Sequence, residues 1–330
     1  MSNGNDITKV TIPNSVTSIG SGAFDGCYSL TSVTISDSVK TIGSFAFRGT
    51  SLTNITIPDS VTSIEYYAFN ACSKLVEVYN LSSLNIKVGS SDNGDAGYYA
   101  KVVHTSLDEE SILETADDYI FMTWEDEYYL MGYVGNETEL TLPESYNGNS
   151  YEIYQYAFYN RDDITKVTIP DSVTYIRSKA FSDCTSLTSA TIGNGITSIE
   201  DSAFTCCTSL ISVTIGNGII SIGDYAFEQC HSLTSITIPD SVTHIGSYAF
   251  NNCTSLISIT IPDSVSSIGR CVFFGSSRLT IYCKVEYKPF GWDSDWKSSN
   301  IPVYWYRKNK PTTSGNYWHY GENGEIVVWE

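Results

Sequence analysis

Residues 233–255 read LTSITIPDSVTHIGSYAFNNCTS, and the reading of this stretch decides the fold. Leu233, Ile236 and Ile238 follow the spacing L-x-x-I-x-I, the mark of a short strand with alternate side chains turned inward. Pro239-Asp240 ends that strand, because proline cannot continue a ladder. Val242 and Ile245 point back inside along a second leg, and Gly246-Ser247 breaks the direction. Ala249 and Phe250 anchor a short helical or turn segment, and Cys253 closes the unit. A lone unit of this size buries too little apolar surface to offset the entropy of ordering it. Stacked copies share one continuous core, so such a unit implies an array.

The array is present. Ala-Phe pairs end at Phe24, Phe47, Phe69, Phe158, Phe181, Phe204, Phe227 and Phe250, and Phe273 continues the series with Val272 in place of alanine. Successive gaps are 23, 22, 89, 23, 23, 23, 23 and 23 residues. The expected fold is a leucine-rich-repeat β-solenoid, with a parallel sheet on one face and short helical or turn segments on the other. A β-rich insertion and an aromatic C-terminal cap complete it.

The phrases TIPDSVTSI and SYAFNNCTSL resemble the BspA-like leucine-rich repeat surface proteins of bacteria and protists. The resemblance covers residues 7–80 and 137–283, about two-thirds of the chain. The repeat departs from the common form L-x-x-L-x-L-x-x-N: Ser241 and its equivalents replace the asparagine, so no asparagine ladder is expected to tie the turns. What the resemblance implies is extracellular or cell-surface display and adhesion to a host or matrix protein. The start, MSNGNDITKV, lacks a basic region followed by an apolar stretch, so any signal peptide is expected to have been removed.

Charge narrows the partners. Lysine and arginine number 18 against 37 acidic residues, a net charge of −19. Such a surface repels phosphate backbones and anionic lipid, so neither nucleic acid nor membrane insertion is expected. No apolar run approaches the ~18 residues of a membrane-spanning helix. A monomer is expected.

Four regions follow: N-terminal repeats over 1–80, an acidic island over 81–136, C-terminal repeats over 137–283, and an aromatic capping segment over 284–330. The island opens on a loop, SSDNGDAG, that lacks the full ligand spacing of a calcium site. Gly97 to Thr105 reads as a short helix, and YIFMTW and YYLMGYV read as two strands joined at Glu125-Asp126-Glu127. Residues 92–127 hold 11 acidic side chains and one lysine, and 11 of the 24 tyrosines lie between Tyr98 and Tyr159. Asp108, Glu109, Glu110, Asp117, Asp118, Glu125, Asp126 and Glu127 are therefore candidate contacts for a partner, against the plainer reading of a solvated hairpin surface. The capping segment holds five of the six tryptophans, Trp292, Trp296, Trp305, Trp318 and Trp329. Its expected role is to cover the last repeat, with an aromatic glycan platform as the rival.

Six cysteines, Cys27, Cys72, Cys184, Cys207, Cys230 and Cys253, each stand three residues after an Ala-Phe phenylalanine. They are expected to form a buried, reduced ladder of small side chains. Cys206, Cys271 and Cys283 lie off that ladder, and Cys206 is the best candidate for an exposed thiol. No zinc spacing, phosphate loop or nucleophile–histidine group can be placed, so no metal, no cofactor and no catalytic residues are expected.

The outward strand position is Thr34, Thr56, Thr168, Thr191, Thr214, Thr237 and Thr260, preceded two residues earlier by Ser32, Asn54, Lys166, Ser189, Ser212, Ser235 and Ser258. This small, neutral, hydroxyl-lined face is the second candidate binding surface. Its monotony equally suits a plain soluble sheet. The leading expectation is an adhesion or protein-binding module and not an enzyme. The rivals are a structural spacer and a glycan-binding protein that uses the tryptophan-rich tail.

Overall fold

The computed structural model describes residues 7–329, and the outermost ends of the first and last expected regions lie outside that range. The chain divides into two compact units, Met1–Val134 and Gly135–Glu330. In both, each repeat lays down two strands and a chain of turns.

In the second unit, one row of strands runs Glu139–Thr141, Lys166–Ile169, Ser189–Ile192, Ser212–Ile215 and Ser235–Ile236, all parallel. Ser258–Ile261, Thr280–Cys283, Val303–Tyr306 and Tyr317–Tyr320 are likewise parallel, and Ile326–Val328 closes antiparallel. The first unit repeats the design with Lys9–Thr11 beside Ser32–Thr34, and with Asn54–Ile57 beside Glu77–Asn80 and Val102–His104. Register advances one repeat per strand: Lys166 pairs with Ser189 and Ser189 with Ser212.

The leg after the Pro-Asp-Ser turn carries a second parallel row. Tyr151–Ile153, Val173–Ile176, Ser198–Ile199, Ser221–Ile222, His244–Ile245 and Ser267–Ile268 align in the second unit. Ser18–Ile19, Thr41–Ile42 and Ser63–Ile64 do so in the first. A second sheet was not expected, because two-residue strands leave almost no period-2 trace in the sequence.

The Ala-Phe leg is turn and not helix, and no helix occurs among the described residues. The residue before the alanine and the residue two after the phenylalanine are both left-handed: Ser202 (φ 58°) and Cys206 (φ 60°) flank Ala203-Phe204, and Tyr248 (φ 59°) and Asn252 (φ 57°) flank Ala249-Phe250. Two such residues within five forbid a helical turn. The freed amides point to the neighbouring repeat: the Phe204 N–H donates to the Ala226 carbonyl and the Phe227 N–H to that of Ala249, both at 2.8 Å. The rings stack in a column. From Phe158 to Phe273, successive centroids are 4.8, 5.1, 5.3, 5.4 and 5.7 Å apart.

The island is shorter than expected, because its opening is a degenerate repeat. Val102–His104 is a strand paired with Glu77–Asn80, and not the end of a helix. The SSDNGDAG stretch replaces an Ala-Phe leg: the Phe69 N–H donates to the Gly94 carbonyl at 2.8 Å, and Asn70 Nδ2 donates to Asp95 Oδ2 at 3.0 Å. Gly94 has φ +63°, and a Cβ there would run into the Glu65 carbonyl, so only glycine fits. What remains is a three-stranded antiparallel meander, Leu113–Ala116, Tyr119–Trp124 and Glu127–Tyr133.

The aromatic segment caps the second unit as expected. Trp296 sets its edge against Phe273 at 5.9 Å, and the Asp295 and Trp296 carbonyls accept from Cys271 and Phe273 N–H at 2.7 and 3.3 Å. These are the acceptors that a following repeat would supply. Trp292, Trp296 and Trp318 are buried.

Candidate functional site

The strand face is laid out as the repeat phase requires. Thr168, Thr191 and Thr214 stand in register on adjacent strands, with Thr34 and Thr56 on the first unit and Thr237 and Thr260 further along the second. Thr34, Thr191, Thr214 and Thr237 are exposed; Thr56, Thr168 and Thr260 are half-buried. The neighbouring column is structural: Thr165, Thr188 and Thr234 hydroxyls donate to carbonyls of the preceding repeat, at 3.1, 2.8 and 3.2 Å.

In both units the threonine column ends in aromatic rings. Thr260 pairs with Tyr282 and Tyr282 with Tyr304, whose rings stack at 5.4 Å and 25°. Tyr306 and Trp318 pair on the same outward side, with Tyr320 two residues on. Trp318 is fully buried among Tyr282, Tyr306 and Tyr320, and its Nε1 donates to the Cys283 carbonyl at 2.9 Å. The tyrosines are half-buried and Tyr320 is 45% exposed, so aromatic edges border the hydroxyl lattice. In the first unit Thr56 pairs with Tyr79, and Tyr79 with His104 at a ring distance of 4.6 Å. The signal for both extensions was in the sequence. Leu279-Thr280-Ile281-Tyr282 and Leu75-Val76-Glu77-Val78-Tyr79 keep the repeat's strand phase.

The acidic candidates do not converge. Asp117 (φ 47°) and Asp118 (φ 65°) form the turn before Tyr119–Trp124, and Glu125 (φ 52°) and Asp126 (φ 64°) form the turn after it. Two consecutive left-handed residues make a type I′ turn, which favours aspartate for local geometric reasons. The two turns lie at opposite ends of a six-residue strand, roughly 20 Å apart. Glu127 begins the third strand, and Asp108, Glu109 and Glu110 sit on the exposed loop after His104. Glu109 is internally engaged: its Oε1 accepts from the Thr105 and Ser106 amides at 2.7 and 3.0 Å.

All six ladder cysteines are buried and free. Five of them are also donors, with Cys72 bonding the Phe47 carbonyl at 3.0 Å. The thiols of Cys184, Cys207, Cys230 and Cys253 donate to the carbonyls of Phe158, Phe181, Phe204 and Phe227 at 3.1, 3.1, 3.2 and 3.2 Å. Ser276, at the same repeat position, does this with a hydroxyl, to Phe250 at 3.1 Å. Where an asparagine ladder is absent, thiols and hydroxyls tie the turns instead. Ser60, Ser241 and Ser264 hydroxyls likewise bond carbonyls one repeat back, at 2.7, 2.6 and 2.7 Å. Asp171 and Asn194 side chains accept from the Asn194 and Asn217 amides at 2.6 and 3.0 Å. Burial pushes the thiols up, to about 11 at Cys72 and about 12 at Cys184 and Cys253, and that suppresses the nucleophilic thiolate. Cys206 and Cys271 are half-buried, and burial followed by Asp183 raises Cys206 as well.

Stacked 23-residue coils of this kind make a leucine-rich-repeat β-solenoid, a class that presents extended surfaces for binding. More particularly, the chain belongs to the BspA-type leucine-rich repeat family, whose repeat model matches in six copies over residues 2–91 and 151–280. Solved structures similar to it include a leucine-rich repeat protein of T. pallidum, 29% identical, covering 51% of this chain and 80% of that one, with TM-score 0.49. A leucine-rich cell surface protein of Faecalibacterium prausnitzii is 28% identical, covering 85% of this chain and 60% of that one, with TM-score 0.43. No curated protein matches significantly. Among the described residues, no helix is long and apolar enough to cross a membrane, and no group of three or more His, Cys, Asp or Glu side chains is placed to hold a metal ion.

Proposed function

We propose that this chain is a non-enzymatic adhesion module, secreted or displayed at a cell surface, that binds a host or matrix protein through the strand face of its second unit. The observation that carries the reading is the passage of the outward threonine column into Tyr282 and Tyr304. A uniform hydroxyl lattice gives a partner little to discriminate, whereas tyrosine supplies contact area at low entropic cost and is enriched where binding energy concentrates. On this reading the dispersed acidic turns, Asp117-Asp118 and Glu125-Asp126-Glu127, steer a basic partner and lose influence as salt screens them.

A glycan is the second reading, favoured by the near-parallel Tyr282–Tyr304 stack, which offers a flat ring surface beside hydroxyl groups. The test is a binding screen of the purified chain against matrix proteins and glycans, repeated with Tyr282→Thr/Tyr304→Thr. Tyr282→Thr restores the residue other repeats carry in this column, and circular dichroism and thermal unfolding of the variant check that the packing around Trp318 is kept. Loss of binding by about tenfold or more supports the proposal. Unchanged binding moves the site elsewhere, and no binding to anything favours the spacer.

A further inference from the structure

On the last strands of the first unit's row, the outward face is covered. Glu77 occupies the outward column of Asn54, yet its side chain has no exposure. On the next strand, His104, in register with Tyr79, is 4% exposed. The cover is the segment 105–112, which crosses the face after His104. Glu77 Oε1 accepts from the Ile112 amide at 3.0 Å and contacts His104 Nε2 at 3.0 Å, and its Oε2 accepts from the Ser111 hydroxyl at 2.9 Å. The other ring nitrogen, Nδ1, lies 3.2 Å from Glu109 Oε2 on the crossing segment. His104 thus stands between two carboxylates, one buried on the strand row and one on the cover. Tyr79 is a further titratable neighbour, stacked on the ring at 4.6 Å.

We infer that residues 105–112 form a pH-operated strap over the strand face of the first unit, fastened while His104 carries its proton and released when it loses it. Only the imidazolium has two N–H donors, so only it can satisfy both carboxylates at once. Once neutral, the ring keeps one N–H, one carboxylate meets a lone pair, and Glu77 is left as a buried charge without a counter-charge. Release bares Glu77, Tyr79 and His104, the aromatic end of this unit's outward column.

The directions agree with this. Burial opposes the charge on His104, but the hydrogen bonds to Glu77 and Glu109 outweigh it and hold the ring above its ordinary value. The Thr105 amide, and then His104, hold Glu109 down at about 2. A raised histidine stabilises the closed form fully below the ordinary value of ~6.5, and that support is lost as pH rises through the raised one. The lowered carboxyl stabilises it above its ordinary range and fails only as pH falls toward 2. The strap is therefore closed in mild acid and opens toward alkaline pH.

The test is amide hydrogen exchange of residues 105–112 in the full chain from about pH 6 to about pH 9, corrected for intrinsic rates. Wild type should lose protection by up to about tenfold per pH unit within the histidine window, while the strands Lys9–Thr11 and Ser32–Thr34 stay constant. His104→Gln should show low strap protection with no pH dependence, and Glu109→Gln should shift the wild-type profile to lower pH. Should His104→Gln fail to fold, direct titration of the His104 ring in wild type by NMR still decides. A flat wild-type profile, a His104→Gln profile that matches it, or a ring that titrates at or below the ordinary histidine value overturns the proposal.

Discussion

At the scale of the residue, the cysteine ladder shows why one side chain recurs at one point of the repeat. The site needs a small group that is apolar enough for the core and still able to donate to a carbonyl 26 residues back. Cysteine meets both needs, and Ser276 shows that a hydroxyl can serve. We predict that Cys207→Ala destabilises the chain by about 0.5–1.5 kcal/mol, because the buried Phe181 carbonyl loses its closer donor and keeps only the Cys184 amide at 3.4 Å. Cys207→Ser should cost less, since the donor is kept. Thermal unfolding of the two variants gives the order, and an alanine variant as stable as the serine one would show that the thiol acts only by filling space. The sequence shows that these positions share one environment. It does not show that the environment contains a carbonyl, because the acceptor belongs to the backbone of the preceding repeat.

At the scale of the element, the Ala-Phe leg and the meander turns share a feature that side-chain patterns conceal. Tyr225, Ala226, Phe227 and Glu228 are compatible with helix one residue at a time, yet Tyr225 (φ 59°) and Gln229 (φ 58°) are left-handed. The reason is external: the Phe227 amide bonds to Ala249 in the next repeat and so cannot serve a helical bond at i−4. The repeat phase makes the inward positions and the strand phase legible; it extends to Tyr79 and Tyr282 but not to Tyr304, which lies beyond the last repeat. The partners of Glu77 were not legible, because His104, Glu109 and Ser111 carry no repeat phase and meet it only through the path of the strap. The same backbone logic gives a prediction for the meander. Asp126 sits at φ 64° in a type I′ turn, where a glycine has no Cβ to strain. Asp126→Gly should stabilise the hairpin by roughly 0.5–1 kcal/mol, read as slower proteolysis between Trp124 and Tyr128. Faster cleavage would mean that the aspartate side chain, and not the turn geometry, holds this corner.

At the scale of the whole molecule, a stack of identical coils has an end problem: each coil satisfies its neighbour, and the last has none. In the second unit the phenylalanine column stops at Phe273, and the face beyond it would be bare ring and unpaired strand. The capping segment removes both exposures. Trp296 closes the ring column, the Asp295 and Trp296 carbonyls take the last amides, and Val303–Tyr306 pairs with Thr280–Cys283. Three of the five tryptophans concentrated here, Trp292, Trp296 and Trp318, are therefore consumed by packing, while the tyrosine edges stay at the surface. Two variants separate the contributions. Trp296→Ala should lower stability by about 3–5 kcal/mol while leaving the strand pairing intact, so the chain keeps the association state of the full-length protein but melts earlier. Truncation after Cys283 should do more, because it also bares the edge of Thr280–Cys283, and such an edge templates pairing with other chains. Light scattering after size exclusion should show the truncated chain associating at concentrations where Trp296→Ala does not. A truncated chain that stays monomeric and melts with the full-length protein would show that the repeats close without a cap, and that the aromatic segment is retained for some other task.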